Sequence, residues 1–312
     1  MRCSVVIRAF NEAQHLPRLL QGLRNQSVRD VEVVVVDSGS TDSTVAIAQS
    51  HNAKVVHVPA KDFTFGRSLN AGIRAAFGDS IVIASAHVYP VYPDWLETLL
   101  APFQDPAVAL TYGKQRAPES ARFSERQVFL QWYPDTSVPR QGTAFCNNAN
   151  AAIRRSLWER HAYDEDLTGL EDLAWAQWAR EQGHVIEYVA EAEVIHVHSE
   201  SPRGVLNRYR REAMAFRRIH PEAHFSLYDF GRLSIVNIAN DGWHALRAGV
   251  ILRHLPGIVM FRLMQFLGTW TGYRESGLLT PQLRETFYYP RRGASRRGSQ
   301  REVRPIEYQE HD

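Results

Sequence analysis

The sequence predicts an α/β fold in which a mostly parallel sheet carries helices on both faces. Continuous β-branched runs, CSVVI at 3–7 and VEVVVV at 31–36, are typical of strands that are covered on both faces. Between these runs, apolar residues recur at helical spacing over 16–23, so the first three elements read as a β-α-β unit. Alternation of this kind favours a parallel sheet with right-handed crossovers.

The remaining elements follow from the same two periodicities. Apolar runs predict further strands at 54–58, 80–85, 107–112, 185–189 and 193–197. An apolar stripe, a first-turn proline or a terminal glycine predicts helices at 43–50, 68–77, 94–103, 171–182 and 201–219. The stretch from 113 to 150 is rich in Gln, Asn, Pro and aromatic residues and predicts no regular element.

The composition is that of a globular protein with 312 residues, 44% of them hydrophobic, and a formal net charge of +2. This length suits one large domain or two smaller ones. The two cysteines, Cys3 and Cys146, cannot form a disulfide framework, and no signal segment is visible, so a cytoplasmic protein is expected. Residues 249–270 are apolar, but charges and a proline interrupt them, which argues against a transmembrane span.

Three polar clusters follow predicted strands. RAFNE (8–12) follows the first strand, DSGSTD (37–42) follows the second, and Ser85-Ala86-His87 ends the strand at 80–85. Ligands of open parallel sheets bind beyond the carboxyl ends of the strands, so these clusters are expected to share one site. Neither a G-x-G-x-x-G nor a G-x-x-x-x-G-K-[ST] motif is present, which excludes the common dinucleotide and phosphate-loop classes.

An ordered set of motifs resembles family 2 glycosyltransferases of the GT-A fold over about residues 3–200. The set comprises SVVIRAFNEAQHLPRLL, VEVVVVDSGSTDST, FTFGRSLNAGIRAAFGDSIVIASAH, the WL at 95–96 and TGLEDLAWAQWAREQG. The resemblance implies inverting transfer of a sugar from a nucleotide diphosphate sugar to an acceptor hydroxyl in polysaccharide or glycolipid synthesis. The alternative is a catalytically degenerate GT-A fold that serves as a nucleotide-sugar-binding or scaffold protein.

The resemblance also implies which residues bind the donor. Phe10 would lie against the base, Glu12 would contact the nucleoside, Asp37 would accept a hydrogen bond from the base, and Arg67 would face the pyrophosphate. The complete expected donor-binding set is Ala9, Phe10, Glu12, Asp37, Ser38, Gly39, Arg67, Ser85 and Ala86. From the residues alone, Asp37 also fits a turn former, and Arg67 also fits a solvated residue at a helix start.

Two acidic residues at the start of a predicted helix match the catalytic position of the family. Asp172 is expected to be the general base and Glu171 to support it, because an inverting displacement requires one carboxylate opposite the leaving group. A pair of acids in a first turn also complements the helix dipole, and this structural alternative predicts the same residues.

The strand end at 85–87 departs from the family pattern. Most members have Asp-x-Asp there, and its second carboxylate binds a divalent metal, whereas this chain has Ser85-Ala86-His87. Imidazole suits manganese better than magnesium, so His87 is expected to remain a ligand of a divalent cation, Mn or Mg. His196 and His198 lie two apart on a strand and therefore face the same side, which makes them further ligands. The alternative is that the imidazoles bond the diphosphate directly, without metal.

The C-terminal third is rich in arginine. From residue 201 onward there are 18 Arg against 10 Asp plus Glu. We expect a GT-A domain at 1–200, a helical, basic and amphipathic extension at 201–289 and a disordered tail at 290–312. Basic amphipathic segments at 203–220 and 249–274 favour peripheral association with an anionic membrane surface and a saccharide or lipid-linked acceptor. Nothing in the sequence predicts a nucleic-acid partner.

Overall fold

The computed structural model describes residues 2–198, 200–275 and 303–308. Its strands are β1 (Cys3–Ala9), β2 (Glu32–Asp37), β3 (Lys54–His57), β4 (Ser80–Ser85), β5 (Val88–Pro90), β6 (Val108–Arg116), β7 (Asn150–Arg154) and β8 (Val185–His196). They form one sheet in the order β3-β2-β1-β4-β7-β6-β8-β5.

The described helices are α1 (Leu16–Arg24), α2 (Thr44–Ser50), α3 (Phe65–Ala75), α4 (Trp95–Leu100), α5 (Phe123–Trp132), α6 (Arg155–Arg160), α7 (Glu171–Glu181), α8 (Pro202–Ile219), α9 (Leu227–Arg247) and α10 (Ile251–Arg274). Local chemistry sets several of these boundaries. Pro17 lies in the first turn of α1, where its missing N–H costs nothing. Ser226 and Asp229 form a reciprocal capping box at the start of α9.

The sheet separates two hydrophobic layers. Val6 and Val34 face one layer, to which α3 and α7 contribute, while the alternating neighbours Val5 and Val35 face the other, which holds α1 and α4. All four valines are fully buried, as expected for central strands that are covered on both faces. The β-branched runs of the sequence therefore correspond to a three-layer α/β core.

The sheet is mixed. Strands β1, β2, β3 and β4 are parallel to one another, and β6 is parallel to β8. However, β7 lies antiparallel between β4 and β6, and β5 is antiparallel to β8. Neither β5 nor β7 was expected, because both are short and neither shows a distinctive period. The two strands expected at 185–189 and 193–197 form the single strand β8, which pairs with β6 across a register shift.

The three last described helices pack on one another and on the end of the sheet. Gly268 and Gly272 bring α10 against the backbone of α8, where an added Cβ would lie 2.3 Å from a carbonyl oxygen in each case. A fully buried ion pair joins α9 to α10, with Arg262 Nε 2.8 Å from Asp241 Oδ2. This pairing satisfies both charges and fixes the two helices relative to each other.

The expected division at residues 200 and 289 does not separate independent units around the site, because α8 contributes to the cavity described below. Residues 276–302 and 309–312 lie outside the described residues, and so does most of the tail expected at 290–312. Its described part, 303–308, lies against β5: the Ile306 N–H donates to the Val91 carbonyl at 2.9 Å, and the Tyr308 hydroxyl donates to the Pro90 carbonyl. For this stretch the expectation of disorder is not met, since edge-strand hydrogen bonding supplies contacts that composition does not reveal.

Among the described helices, none combines the length and the apolar character that crossing a membrane requires.

Candidate active site

A polar cavity of about 520 Å³ opens where the carboxyl ends of β1, β4 and β8 meet the first turn of α7 and the middle of α8. Its walls carry the residues on which the chemistry of this edge depends. They include Arg8, Glu12, Phe65, Ser85, His87, Asn147, Asn148, Glu171, Asp172, His196, His198, Glu200, Arg208, Arg211 and Glu212. The sheet edge predicted from the three polar clusters is therefore the edge that contains the cavity.

Three histidines meet in the cavity wall. His87 follows β4, while His196 and His198 stand at the end of β8, and the rings of His87 and His196 stack with centroids 5.1 Å apart. One nitrogen from each of the three lies within 4.8 Å of the others. The alternation of side chains along β8 places His196 and His198 on the same side, as the spacing predicted.

Each imidazole is held through its Nδ1 atom by an oxygen acceptor. His87 Nδ1 lies 2.7 Å from Glu12 Oε1, and His198 Nδ1 lies 2.8 Å from Glu125 Oε1. His196 Nδ1 lies 2.6 Å from Gln115 Oε1. A carboxylate accepts but does not donate, so the protons of His87 and His198 are on Nδ1 and their Nε2 atoms carry lone pairs, which lie 3.1 Å from Ser85 Oγ and 2.9 Å from His196 Nε2, respectively.

The electrostatics of the cluster keep its inner histidines neutral. Burial, followed by the neighbouring His198, His87 and Arg208, lowers the pKa of His196 well below 6.5. Burial also lowers the pKa of His198, although Glu125 opposes this shift. The Nε2 atoms of His196 and His198 are only 2.9 Å apart. Imidazole nitrogens of three residues that lie this close together can bind one ion, so the donor set fits a divalent metal.

The first turn of α7 brings two buried acids to the same cavity. The Asp172 carboxylate accepts hydrogen bonds from the backbone N–H of Asn148 at 3.0 Å and from that of Leu173 at 2.8 Å. Burial and the adjacent Glu171 nevertheless raise the pKa of Asp172 to about 7. A carboxyl group with this pKa exchanges protons near neutral pH, which is the property of a general base.

Glu171 is held by different partners. Its Oε1 lies 3.5 Å from Arg8 Nη1 and accepts a hydrogen bond from Asn148 Nδ2 at 3.3 Å. The preceding residue, Leu170, adopts a left-handed conformation with φ of 56°. This unusual backbone conformation turns the chain sharply into α7, so that both acids enter the cavity from the first helical turn.

Guanidinium groups face the cavity from two separate elements. Arg8 and Arg211 lie on the ring of Phe65, at 4.5 Å and 4.7 Å from its centroid. Arg208 is paired with Glu200, with Nε and Oε2 3.0 Å apart. Arg208 and Arg211 belong to α8, and the sequence assigned this arginine-rich segment to a membrane surface instead.

The residues expected to bind the nucleoside lie beside the cavity, at the ends of β1 and β2. Asp37 is buried and accepts the N–H groups of Gly39 and Ser40, both at 3.1 Å, with Gly39 at a φ of 92° that favours glycine. Burial alone would raise the pKa of Asp37, but these bonds and one from His57 lower it overall. Phe10 is 55% exposed, as a surface for stacking requires.

Four other predicted donor-binding residues differ in their position. Ala9 and Ala86 are buried core residues, and Ser38 is buried in the turn after β2. Ser85 lines the cavity, where its Oγ lies 3.1 Å from His87 Nε2.

Two residues of the predicted donor site bond other protein groups in the structure. Glu12 bonds His87, because the loop after β1 folds over the end of β4, and it therefore supports the histidine cluster. Arg67 bonds Glu165 at 2.9 Å and the Asp62 carbonyl at 2.9 Å, away from the cavity wall. The acid at 165 is far from Arg67 in sequence, and no local pattern indicates their pairing.

Sequence reasoning missed Gln115 and Glu125, which orient two of the histidines. Both lie in or next to the stretch 113–150, where no element was expected, and their proximity to β8 arises from sheet pairing and from the placement of α5. No spacing in the sequence links these two acceptors to the histidines, so they could not be predicted from the sequence around His196 and His198.

The α/β sheet, its helices and a cavity with an acidic pair facing a histidine cluster define a sugar transferase of the GT-A type. The chain belongs to glycosyl transferase family 2, whose family profile matches residues 4–161. The predicted family is thereby confirmed.

Two curated relatives are named as O-antigen chain rhamnosyltransferases. The O-antigen chain rhamnosyltransferase RfbN of Salmonella typhimurium is 26% identical over 291 residues, which cover 88% of this chain and 89% of that protein. The O-antigen chain rhamnosyltransferase WbaN of Salmonella anatum is 26% identical over 197 residues, or 60% of this chain and 62% of the relative.

Solved structures share the fold. The mannosyltransferase PcManGT from Pyrobaculum calidifontis, solved in complex with GDP-Man and Mn2+, superposes with a TM-score of 0.59 at 20% identity, covering 86% of this chain and 85% of that one. Residues 1–349 of TarS from S. aureus superpose with a TM-score of 0.53 at 16% identity, covering 88% and 91%. At these identities the likeness establishes the fold, and the predicted fold class is confirmed.

Proposed function

We propose that this glycosyltransferase moves a sugar from a nucleoside diphosphate sugar to an acceptor hydroxyl in a single inverting displacement, with Asp172 as the general base. The observation that carries this proposal is the arrangement of the cavity. A carboxyl group whose pKa is raised to about 7, a histidine cluster and several guanidinium groups line the same cavity. An inverting reaction needs the base and the positive charge that stabilises the leaving group on opposite faces of the sugar.

In this mechanism, Asp172 accepts the proton of the acceptor hydroxyl as the hydroxyl oxygen bonds to the anomeric carbon. The bond between that carbon and the diphosphate oxygen breaks, and its electron pair leaves with the diphosphate. The two backbone N–H bonds to Asp172 hold the carboxylate in one orientation before the proton arrives. Both acids are largely desolvated, since they are only 4% and 8% exposed although they line the cavity.

Glu171 is proposed to support the base. Its negative charge raises the pKa of Asp172, and its own pairing with Arg8 keeps that charge in place. Loss of Glu171 would therefore leave a weaker base and a free guanidinium beside it. Asn148 links the two acids, since its N–H bonds one and its side-chain amide bonds the other.

The diphosphate is proposed to lie against His87, His196 and His198, near Arg8, Arg208 and Arg211. The three Nε2 atoms and their oriented Nδ1 protons fit a divalent cation, and an all-nitrogen set favours Mn2+ over Mg2+. A cation bound there supplies positive charge to the departing diphosphate. The arginines add fixed charge at the same wall, and Phe65 holds two of them in place.

The relatives support a role in the synthesis of a bacterial surface polysaccharide. RfbN and WbaN are named as O-antigen chain rhamnosyltransferases, and RfbN aligns with most of this chain. We therefore propose a deoxyhexosyl or hexosyl donor, a saccharide acceptor carried on a lipid, and work at the cytoplasmic face of a membrane. Phe10 and Asp37 are proposed to bind the base of the donor.

Donor hydrolysis and transfer by purified wild type and Asp172→Asn test the proposal. Loss of a general base costs about 100-fold or more in rate, so the variant should be nearly inactive while still binding the donor. Glu181→Gln, an exposed acid at the other end of α7, is the matched control and should keep wild-type rates. Equal rates for wild type and Asp172→Asn would instead favour the catalytically degenerate alternative.

A further inference from the structure

The outer side of α9 and its turn into α10 form an exposed apolar surface, called here the elbow surface. Its members are Tyr228, Ile235, Val236, Trp243, Leu246, Leu252 and Leu255. Leu252 is 92% exposed. Among the residues that the structure describes, eight of the fourteen strongly exposed large hydrophobic side chains lie between 227 and 255. Such a concentration marks an interaction site rather than ordinary surface composition.

The elbow surface is not the packing side of α9. Its α9 members recur at helical spacing along one stripe, while Leu233, Asp241 and Ala245 face the opposite side and are buried. A helix with one apolar side turned to the protein and a second turned to solvent needs an apolar partner outside the chain.

The charges around the elbow surface have one sign. Within 226–255, every residue of which is described, the acids Asp229 and Asp241 are both buried, whereas Arg247 and Arg253 are exposed. Each of these arginines directly follows an exposed leucine of the turn, Leu246 or Leu252. Apolar side chains next to exposed guanidinium groups complement a bilayer whose headgroups are anionic.

The sequence placed the membrane contact partly on 203–220, and the structure gives those arginines other partners. Arg208 and Arg211 line the cavity. Arg210 pairs with Glu275, and Arg218 pairs with Asp166. Helix α8 is therefore a wall of the active site, and the exposed apolar area lies on the next two helices.

The elbow surface is one short helix away from the histidine cluster. Phe123, at the start of α5, packs with Ala245 and Ile258 under the elbow, and its ring lies 5.5 Å from that of His254. Two residues further along α5, Glu125 bonds His198 in the cavity. A bilayer at the elbow would therefore lie close to the site of transfer.

We propose that the elbow surface docks on an anionic phospholipid bilayer, with Leu252 and Leu255 entering the headgroup region and Arg247 and Arg253 binding lipid phosphates. This proposal depends on the proposed function in one respect, namely that the acceptor is linked to a lipid. A second copy of the chain is the weaker occupant, because a two-fold contact through this stripe brings the same arginines of both copies together.

The test is sedimentation of the full chain with vesicles of phosphatidylcholine alone or with phosphatidylglycerol added. Wild type should bind the anionic vesicles and bind the neutral ones at least about fivefold more weakly. The double variant Leu252→Glu/Leu255→Glu should bind anionic vesicles at least about tenfold more weakly than wild type. Arg247→Gln/Arg253→Gln should remove most of the preference for anionic lipid. Phe77→Glu, an exposed aromatic residue at the amino end of β4 and so at the opposite sheet edge, should bind like wild type.

Donor hydrolysis in solution, without vesicles, is measured on the same samples. The elbow variants should keep it, which shows that they are folded and separates this proposal from the catalytic one. Wild type that hydrolyses donor but ignores anionic vesicles overturns the membrane proposal alone. A second copy of the chain would be the occupant if wild type binds no vesicles and forms a dimer in solution that Leu252→Glu/Leu255→Glu does not form. This result overturns the membrane proposal.

Discussion

At the scale of single residues, the environment of a carboxyl group decides its chemistry. Asp172, in the first turn of α7, and Asp37, the last residue of β2, are both buried acids, yet their pKa values move in opposite directions. Asp172 has a second acid beside it and loses its water, whereas Asp37 collects backbone N–H bonds in a tight turn. The first is thereby suited to take up a proton, and the second stays ionised to accept hydrogen bonds.

The raised pKa of Asp172 predicts the pH dependence of transfer. A base works only when deprotonated, so the rate should rise with pH up to about 7, with roughly tenfold loss per unit well below that value. The folded-state pKa is raised above 3.8, so the stability that the protonated group contributes is lost as pH rises through about 7. A pH profile of donor hydrolysis at saturating donor and fixed Mn2+ measures the first effect. The expected pKa lies between about pH 5 and 8, so a rate of donor hydrolysis that stays constant over this range would contradict the assignment of Asp172 as the base.

The histidine cluster predicts a metal preference that can be measured without turnover. Titration of the wild-type chain with Mn2+, followed by electron paramagnetic resonance, should show one bound ion, and Mg2+ should compete poorly because the site offers nitrogen ligands. His87→Ala should weaken Mn2+ binding by at least about tenfold. His224→Ala, an exposed histidine outside the cluster, should not change it. Full Mn2+ affinity in His87→Ala would show that His87 is not a ligand, and a wild type that binds no Mn2+ would favour direct bonding of the imidazoles to the diphosphate.

At the scale of elements, the placement of α5 indicates that Glu125 positions the ring of His198. This helix carries the acceptor that holds the Nδ1 proton of His198. Glu125→Ala should weaken Mn2+ binding by about 10- to 100-fold, as is usual for partners of metal-binding histidines. Glu125→Gln keeps an accepting oxygen and should recover most of that affinity. If both variants bind Mn2+ like wild type, Glu125 only packs beside Arg208.

The contact between α8 and α10 depends on two glycines. Gly272→Ala would place a Cβ 2.3 Å from the Arg210 carbonyl oxygen, so the helices must move apart at a cost of about 1–3 kcal/mol in the free energy of unfolding. Gly257→Ala lies on the same helix in open space and should be neutral or stabilising by up to about 1 kcal/mol. Chemical denaturation of the two variants measures the difference. Equal stabilities would show that α10 does not pack closely on α8.

At the scale of the whole molecule, the helical C-terminal region is part of the active site. The family profile ends at residue 161, yet α7, the end of β8 and α8 supply half of the cavity wall. The proposed catalytic acid of α7 and the arginines of α8 reach the same space as Arg8 of β1. The expected boundary at residue 200 stays a prediction, and α8, which lies beyond it, lines the same cavity.

Substitution of Arg211 tests whether α8 contributes to donor binding. Arg211→Met should raise the KM for the donor by about tenfold, since a guanidinium that faces an anionic ligand is lost, and it should leave thermal stability nearly unchanged. Arg203→Met, an exposed arginine one turn into the same helix, is the control and should behave like wild type. A normal KM for Arg211→Met would show that α8 encloses the cavity without binding the donor.

The sequence by itself determined the central β-α-β units, the position of the site at their carboxyl ends, the family, and the candidate acids and histidines. These features are local, because a buried parallel strand must be apolar throughout and must end in a loop that carries the chemistry. Helix α7 and the same-side placement of His196 and His198 followed from periodicity alone.

Tertiary packing selects the partners that complete the site. Glu12 bonds His87, Arg67 pairs with Glu165 98 residues away, and Arg208 and Arg211 line the cavity. The membrane-binding surface that we propose lies on α9 and the start of α10 and not on α8. A side chain's role depends on which distant element packs beside it, and burial across sheet and helix layers sets that proximity without leaving a period in the sequence.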